Sequence, residues 1–330
     1  MSPTPAPRRV AMDLLLVAMV VVWAGNYSLV KSVLRELSPL AFNAARLIVA
    51  STVFLALLAW SRHRGGAPGR AGTGAAAIPR PLRAADRLDR ADWRALAGLG
   101  FVGHFLYQFA FIGGLARTSV ANSALIIGCS PVAIALATAL AGHERIGRLH
   151  WLGAALSVGG LYLVAGRSAA IGGASLVGDV LMLGAVCCWA VYTVFSRPLL
   201  ERHSPLVVTG YSLALGTAMF VPAAMPALLR APWASLSTWA WWGIVASAVL
   251  ALNLAYLIWY TAVQRIGNAR TSMYSNMVPV TAMALAWAVL GEHIEPVQVA
   301  GALAILGGVL LTRLSTGAGR AAGLQPPAEA

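Results

Sequence analysis

Apolar residues run through this chain in long blocks separated by short polar or Pro/Gly punctuation. About 20 such residues suffice to cross a bilayer as a helix. The pattern predicts ten crossings, over residues 12–30, 39–60, 94–114, 119–141, 149–166, 178–197, 205–228, 238–262, 269–290 and 296–313. Several connections are very short, such as "RTSV" around Arg117, and force neighbouring helices to run antiparallel. The expected fold class is an all-α polytopic membrane protein.

Composition sharpens this. The chain is 59% hydrophobic and 11% charged, with mean hydropathy +0.74, against about 25% charged residues in a soluble domain. A net charge of +13 would suggest nucleic acid in a soluble protein. Here the arginines lie in short segments between apolar blocks, where positive charge sets orientation, and no nucleic-acid partner is expected. With the N-terminus inside, 18 Lys and Arg residues fall on the cytoplasmic side and five (Lys31, Arg35, Arg117, Arg167, Arg230) on the other, with Arg46 inside a block. Both termini are therefore expected in the cytoplasm, in a bacterial-type inner membrane. Cys129, Cys187 and Cys188 lie within apolar blocks, without CxxC spacing, and read as small packing residues.

The chain repeats itself. Residues 114–164 align with 262–312 at a constant offset of 148, pairing Arg117 with Arg265, Pro131 with Pro279, Glu144 with Glu292, Gly153 with Gly301 and Gly160 with Gly308. Nearer the N-terminus the offset is 166, pairing Asp13 with Asp179, Trp23-Ala24 with Trp189-Ala190, Lys31 with Arg197 and Ser38-Pro39-Leu40 with Ser204-Pro205-Leu206. A Gly/Ala/Arg/Pro-rich cytoplasmic loop, 61–93, absorbs the difference. The expected organisation is an N-terminal tail (1–11), a first five-helix repeat (12–166), a linker (167–177), a second repeat (178–313) and a C-terminal tail (314–330). An odd number of crossings per repeat turns the second copy upside down, and inverted-topology repeats are a signature of secondary transporters. Residues 1–25 could pass for a signal peptide, but the first block has a partner in the sixth and is expected to be retained.

"WAGNYSLVK", "SPLAFNAAR", "ARTSVANSALI" and "GHERI", with "GDVLMLGAVCCWAVYTV", "IGNARTSMYSNMVPV" and "LGEHIEPVQVAGALAILGGVLL" in the second copy, resemble the EamA family of the drug/metabolite transporter superfamily. The resemblance covers nearly all of the chain except the tails and the basic loop. It implies ten helices in two five-helix halves and export of small metabolites, with aromatic amino-acid exporters as one similar branch.

Polar groups at membrane depth are costly and face the protein interior or a wet cavity. His104, Tyr107, Gln108 and Phe111 recur at helical spacing, as do Asn253, Tyr256 and Tyr260, and Gln108 corresponds to Tyr256 at the repeat offset. Trp23, Asn26 and Tyr27 correspond in the same way, at the offset of 166, to Trp189, Tyr192 and Thr193 in the sixth block. These residues, with Tyr274 and Asn276, are the candidate substrate-binding wall, against the alternative of hydrogen-bonding glue between helices. Lys31 either snorkels to the interface or attracts an anionic group. Arg46 lies about 10 Å into its helix, where it either holds a substrate carboxylate or caps carbonyls of a neighbour. Pro131 and Pro279 occupy matching mid-block positions and are candidate hinges. Glu144 and Glu292, at block ends, are expected to tie loops or helix caps.

No Asp or Glu lies mid-block, so proton coupling through a buried carboxylate is not expected. His104 is the one alternative relay, and uniport is the first reading. The chain lacks HExxH, Gly-x-Ser-x-Gly and Walker A motifs, so it reads as no enzyme and needs no cofactor. A channel would want charged rings or filter loops, and a lipid carrier a less polar groove. A monomer that moves a neutral or zwitterionic small molecule, first an amino acid with an apolar or aromatic side chain, fits best. A nucleoside, sugar or multidrug exporter is the alternative.

Overall fold

The computed structural model describes residues 6–65, 88–140, 151–153, 155–160, 162–163, 173–266, 271, 274–275 and 277–322. Most of the basic loop, the outer parts of both tails, Glu144 and Asn276 lie outside the described residues. Among those described, the regular structure is entirely helical. The elements are α1 (Ala6–Val33), α2 (Pro39–Gly65), α3 (Arg90–Arg117), α4 (Val120–Gly128, resuming as Ser130–Leu140) and α5 (Trp151–Gly160). They continue as α6 (Gly173–Arg202), α7 (Pro205–Arg230), α8 (Thr238–Ala262), α9 (Met277–Leu290) and α10 (Pro296–Ala322). In α1, α2, α3, α6, α7 and α8 the apolar stretch is long enough to cross a membrane, whereas α4, α5, α9 and α10 contain shorter apolar helices. The chain is thus a multi-pass membrane protein.

Local chemistry explains where these helices start. The repeated Ser-Pro-Leu places a serine at the N-cap and a proline in the first turn, where its missing N–H costs nothing. Ser204 Oγ accepts from the Val207 amide at 3.3 Å, and Ser38 Oγ from Ala41 at 3.4 Å. Ser119 caps α4 through Asn122, Ser237 caps α8 through Ala240, and Asp89 with Asp92 forms a reciprocal capping box on α3. Gly291, at φ 66°, ends α9 in the left-handed region. Pro131 follows a turn at Cys129 that interrupts α4, and the Ser130 hydroxyl donates to Ile127 O at 2.5 Å. Pro279 is buried within α9, where the described residues Met277–Leu285 are continuous α-helix, its ring filling the space beside Gly128.

Helix pairs meet through small residues, as is usual where lipid is as apolar as the side chains. On α3 and α7, a Cβ on Gly100 would fall 2.7 Å from Ser212 O, and one on Gly216 would fall 2.6 Å from Gly100 O. On α5 and α10 the approach is reciprocal at the repeat offset: Gly160 faces Gly301 O, and Gly308 faces Gly153 O. Two hydrogen bonds join residues that are each other's counterparts in the sequence alignment. Ser51 and Thr217, 166 residues apart, are bonded at 2.7 Å, and Ser157 Oγ donates to Ile305 O, 148 residues on, at 3.3 Å.

Polar ties secure both ends of the bundle. At one end Glu36, after α1, accepts from the amide and hydroxyl of Ser237 at 2.9 and 2.7 Å. There too Glu292 holds the start of α4, accepting from the Val120 amide at 3.0 and 3.1 Å and from Ala121 at 3.3 Å. At the opposite end Asp92 receives Arg202 Nη2 at 2.7 Å and lies 3.1 Å from His203 Nε2.

Candidate functional site

Of the three π turns among the described residues, one closes α9 at Ala286–Leu290 and two shape the interior. The interior pair occupy Phe101–Leu106 in α3 and Ser247–Leu254 in α8, and at the offset of 148 residues 101–106 map onto 249–254 within the second. A π turn carries an extra residue per hydrogen-bonded ring and is frequent at functional sites. Beyond it, the faces presented by a helix are rotated from those a continuous α-helix would show.

The result is a connected set of aromatic rings from α1, α3, α6 and α8. Trp189 stacks on Tyr256 with centroids 5.7 Å apart and on Tyr192 at 5.8 Å, and meets Tyr107 at 5.9 Å. Trp23 meets the edge of Tyr256 at 6.1 Å and Trp259 at 5.6 Å, while its indole N–H donates to Ala251 O at 3.1 Å. Tyr260 reaches both Tyr192 and Tyr256 at 6.4 Å. Tyr27 and Tyr107 each pack on Phe111 at 5.6 Å. His104 is fully buried, 5.2 Å from the Tyr192 ring and 6.1 Å from Tyr256, and among the described residues neither ring nitrogen has a hydrogen-bond partner. Gly103 gives Tyr192 its place, because a Cβ there would collide with that ring.

Beside the rings lies a polar cluster around Arg46, which is 1% exposed. One Nη donates to Asn43 Oδ1 at 2.5 Å and Gln108 Oε1 at 2.7 Å, and the other donates to Ser247 Oγ at 3.1 Å. Ser247 in turn donates to Asn26 Oδ1 at 2.6 Å. The guanidinium also lies 5.3 Å from the Phe42 ring. Helices α1, α2, α3 and α8 are joined by this one network.

The structure thus brings together Trp23, Tyr27, His104, Tyr107, Trp189, Tyr192, Tyr256 and Tyr260, with Asn26 and Gln108 in the adjoining cluster. It separates others. Asn253 turns to α2 and donates to Ala50 O at 2.9 Å, since the π turn takes it off the face of Tyr256 and Tyr260. Tyr274 is partly buried against the main core. Lys31 does not stand free. Its ammonium donates to Leu115 O at 2.8 Å and Thr118 O at 2.6 Å, at the C-terminal end of α3. There it borders a pocket of about 360 Å³, with Asn122, Ser175, Glu295 and Gln298 also on the wall. Arg46 caps no carbonyl among the described residues; its partners are side chains. Sequence reasoning singles out neither Asn43 nor Ser247. The i, i+3 spacing of Asn43 and Arg46 would have found the first, but nothing in the pattern marks Ser247.

Comparison with known proteins adds to this geometry. An uncharacterised protein of Pseudomonas aeruginosa is 31% identical over 316 residues, covering 94% of this chain and 96% of its own. An uncharacterised transporter of Archaeoglobus fulgidus is 26% identical over 302 residues, covering 91% and 96%. A probable terminal-alkyne amino-acid exporter of Streptantibioticus cattleyicolor is 29% identical over 314 residues, covering 93% and 95%. A crystal structure with 21% identity superposes with a TM-score of 0.61 over 94% of this chain and 99% of its own, which shows a shared fold. The EamA-like transporter family model matches twice, over residues 10–166 and 176–314. With both halves matched, the chain belongs to the EamA-like transporter family.

Proposed function

We propose that this protein is a secondary transporter that exports small metabolites, first among them amino acids with apolar or aromatic side chains, by alternating access. In this reading ten crossings form two inverted five-helix repeats, 12–166 and 178–313, with the loop 61–93 and both termini in the cytoplasm and the body in the inner membrane. The substrate meets the aromatic wall of Trp23, Tyr107, Trp189 and Tyr256 between the halves. One observation carries the reading: α1 and α3 of the first half and α6 and α8 of the second all contribute rings to one cluster. The self-paired positions Ser51–Thr217 and Ser157–Ile305 support the repeat, because residues on a two-fold axis meet their own counterparts. The two matches of the family model support it too. The amino-acid assignment draws on the aromatic wall and on the relative named as a probable amino-acid exporter. The pseudo-two-fold interface lies within one chain, so a monomer suffices. Pro131 and Pro279 serve as hinges.

The test is uptake of labelled amino acids by purified protein in liposomes, with and without a pH gradient, alongside His104→Ala and Tyr107→Ala. Saturable flux of aromatic or aliphatic amino acids, indifferent to the gradient and lost in both variants, is expected for a uniporter with this site. Gradient-driven accumulation abolished by His104→Ala establishes proton coupling instead. Absence of saturable flux for amino acids, nucleosides, sugars and quaternary cations alike refutes the transporter reading.

A further inference from the structure

Arg46 has a net charge that nothing among the described residues around it cancels. It is 1% exposed and lies within the apolar helix Pro39–His63, and among the described residues no carboxylate pairs with it. Its oxygen partners, Asn43, Gln108 and Ser247, are all neutral. A guanidinium keeps its proton in proteins, so burial cannot be relieved by neutralisation. The effective penalty for burying an ion remains several kcal/mol even after relaxation. A glutamate in place of Gln108 would answer the charge; an amide only solvates it.

The atoms left over on Arg46 and its two amide partners all have one polarity. Arg46 Nε, Asn43 Nδ2 and Gln108 Nε2 are buried with no hydrogen-bond partner among the described residues. Because arginine only donates, the two amide oxygens must face it, which settles the orientation of both amides and leaves both NH2 groups as donors. A buried positive charge flanked by spare N–H groups is the chemistry of an anion site, and planar guanidinium suits a carboxylate in particular. Gln108 follows Tyr107, whose ring belongs to the aromatic wall, so an anion held here has an apolar surface beside it.

We propose that Arg46, with Asn43 and Gln108, is the point of anion recognition in the transport path, and that the carried molecules bear a carboxylate on an apolar or aromatic body. This rests on the transporter reading above and narrows its substrate class. The amine of an amino acid is then secondary, and amides, esters and amines of the same body are poor ligands. A purely structural Arg46, tying α2 to α3 and α8, gives none of this selectivity.

The experiment is equilibrium binding to the purified full-length chain of phenylalanine, 3-phenylpropionate, phenylalaninamide and phenethylamine, followed by liposome flux with the same four. The wild type is expected to bind both carboxylates about tenfold or more tighter than the amide and the amine, the loss of roughly one charge-assisted contact. Arg46→Gln should bring phenylalanine down to the level of the amide while leaving the amide itself unchanged. Gln108→Glu supplies an internal anion, so this variant should fold at least as stably as the wild type yet lose carboxylate binding; a structural tie would be strengthened and binding kept. Equal binding of phenylalanine and its amide, a preference that survives Arg46→Gln, or no binding of any of the four overturns the proposal. Saturable flux of an uncharged or cationic metabolite, indifferent to Arg46→Gln, refutes this inference and leaves the transporter standing. Arg46-dependent carboxylate binding without any flux does the reverse.

Discussion

Replacing Gly216 with alanine puts a methyl group where α7 crosses α3. The new Cβ falls 2.6 Å from Gly100 O and 3.1 Å from the His104 carbonyl carbon, with the His104 Cβ nearer still. Two of these neighbours are backbone atoms inside a helix, so no side-chain rotation relieves the contact and the helices must separate. Overpacking of this kind costs about 3 kcal/mol at the upper end of the usual range. Removing a helical glycine returns about 1 kcal/mol, so a net loss of about 2 kcal/mol is expected. Gly98→Ala is the internal control: it lies on α3 with nothing within 4 Å of the added methyl, and a gain of up to about 1 kcal/mol is expected. Reversible unfolding in mixed detergent–SDS micelles, followed by circular dichroism, compares the two. The expected gap is about 3 kcal/mol; a gap below about 1 kcal/mol would show that α3 and α7 do not cross this closely and would refute the packing argument. Because His104 rides on the same contact, Gly216→Ala should also impair flux, and Gly98→Ala should not.

Glu292→Gln removes the charge that sits on the amide groups at the start of α4; a loss of about 1–2 kcal/mol is expected in the same unfolding assay, and no loss would mean that water replaces it without cost. Glu36 is held below the usual carboxylate range by its hydrogen bonds from the Ser237 amide and hydroxyl. A depressed acid stabilises the fold above its unfolded pKa, about 4.3, and that stability disappears as pH falls through the lowered folded value. Melting curves of wild type and Glu36→Gln should therefore differ at pH 6 and converge toward pH 3; a constant difference would contradict the tie.

Much of the fold was legible because lipid imposes long apolar runs and because Ser-Pro-Leu has a local meaning, a serine cap with proline in the first turn, that needs no tertiary context. Trp23 and Trp189 could be picked together because they occupy matching repeat positions, and Tyr107 and Tyr256 because each recurs with other polar or aromatic residues at helical spacing in an aliphatic background. Asn253 could not be placed, because its face depends on a π turn, and no residue pattern in Ser247–Leu254 distinguishes i+5 from i+4 bonding. Lys31 was ambiguous for a different reason. Its partners, Leu115 O and Thr118 O, are backbone atoms, and a carbonyl at a helix end leaves no mark on residue identity. The partners of Arg46 sit 3, 62 and 201 positions away, and only the first separation is visible to a periodicity argument.

In the vocabulary of crystals, each π turn is a dislocation: one surplus residue in an otherwise regular lattice of hydrogen bonds. Such a defect can glide. When the bond on one side shortens from i+5 to i+4 and the next lengthens, the surplus residue passes along the helix, and only the residue it crosses rotates, by about 100°. Both ends of the helix stay in register. In α3 the defect spans Phe101–Leu106, so one such step can swing His104 or Phe105 to a new bearing while Asp92 and Arg117 keep their anchors. The same defect makes these stretches the places where the chain tolerates loss of one residue, since a deletion there heals the lattice.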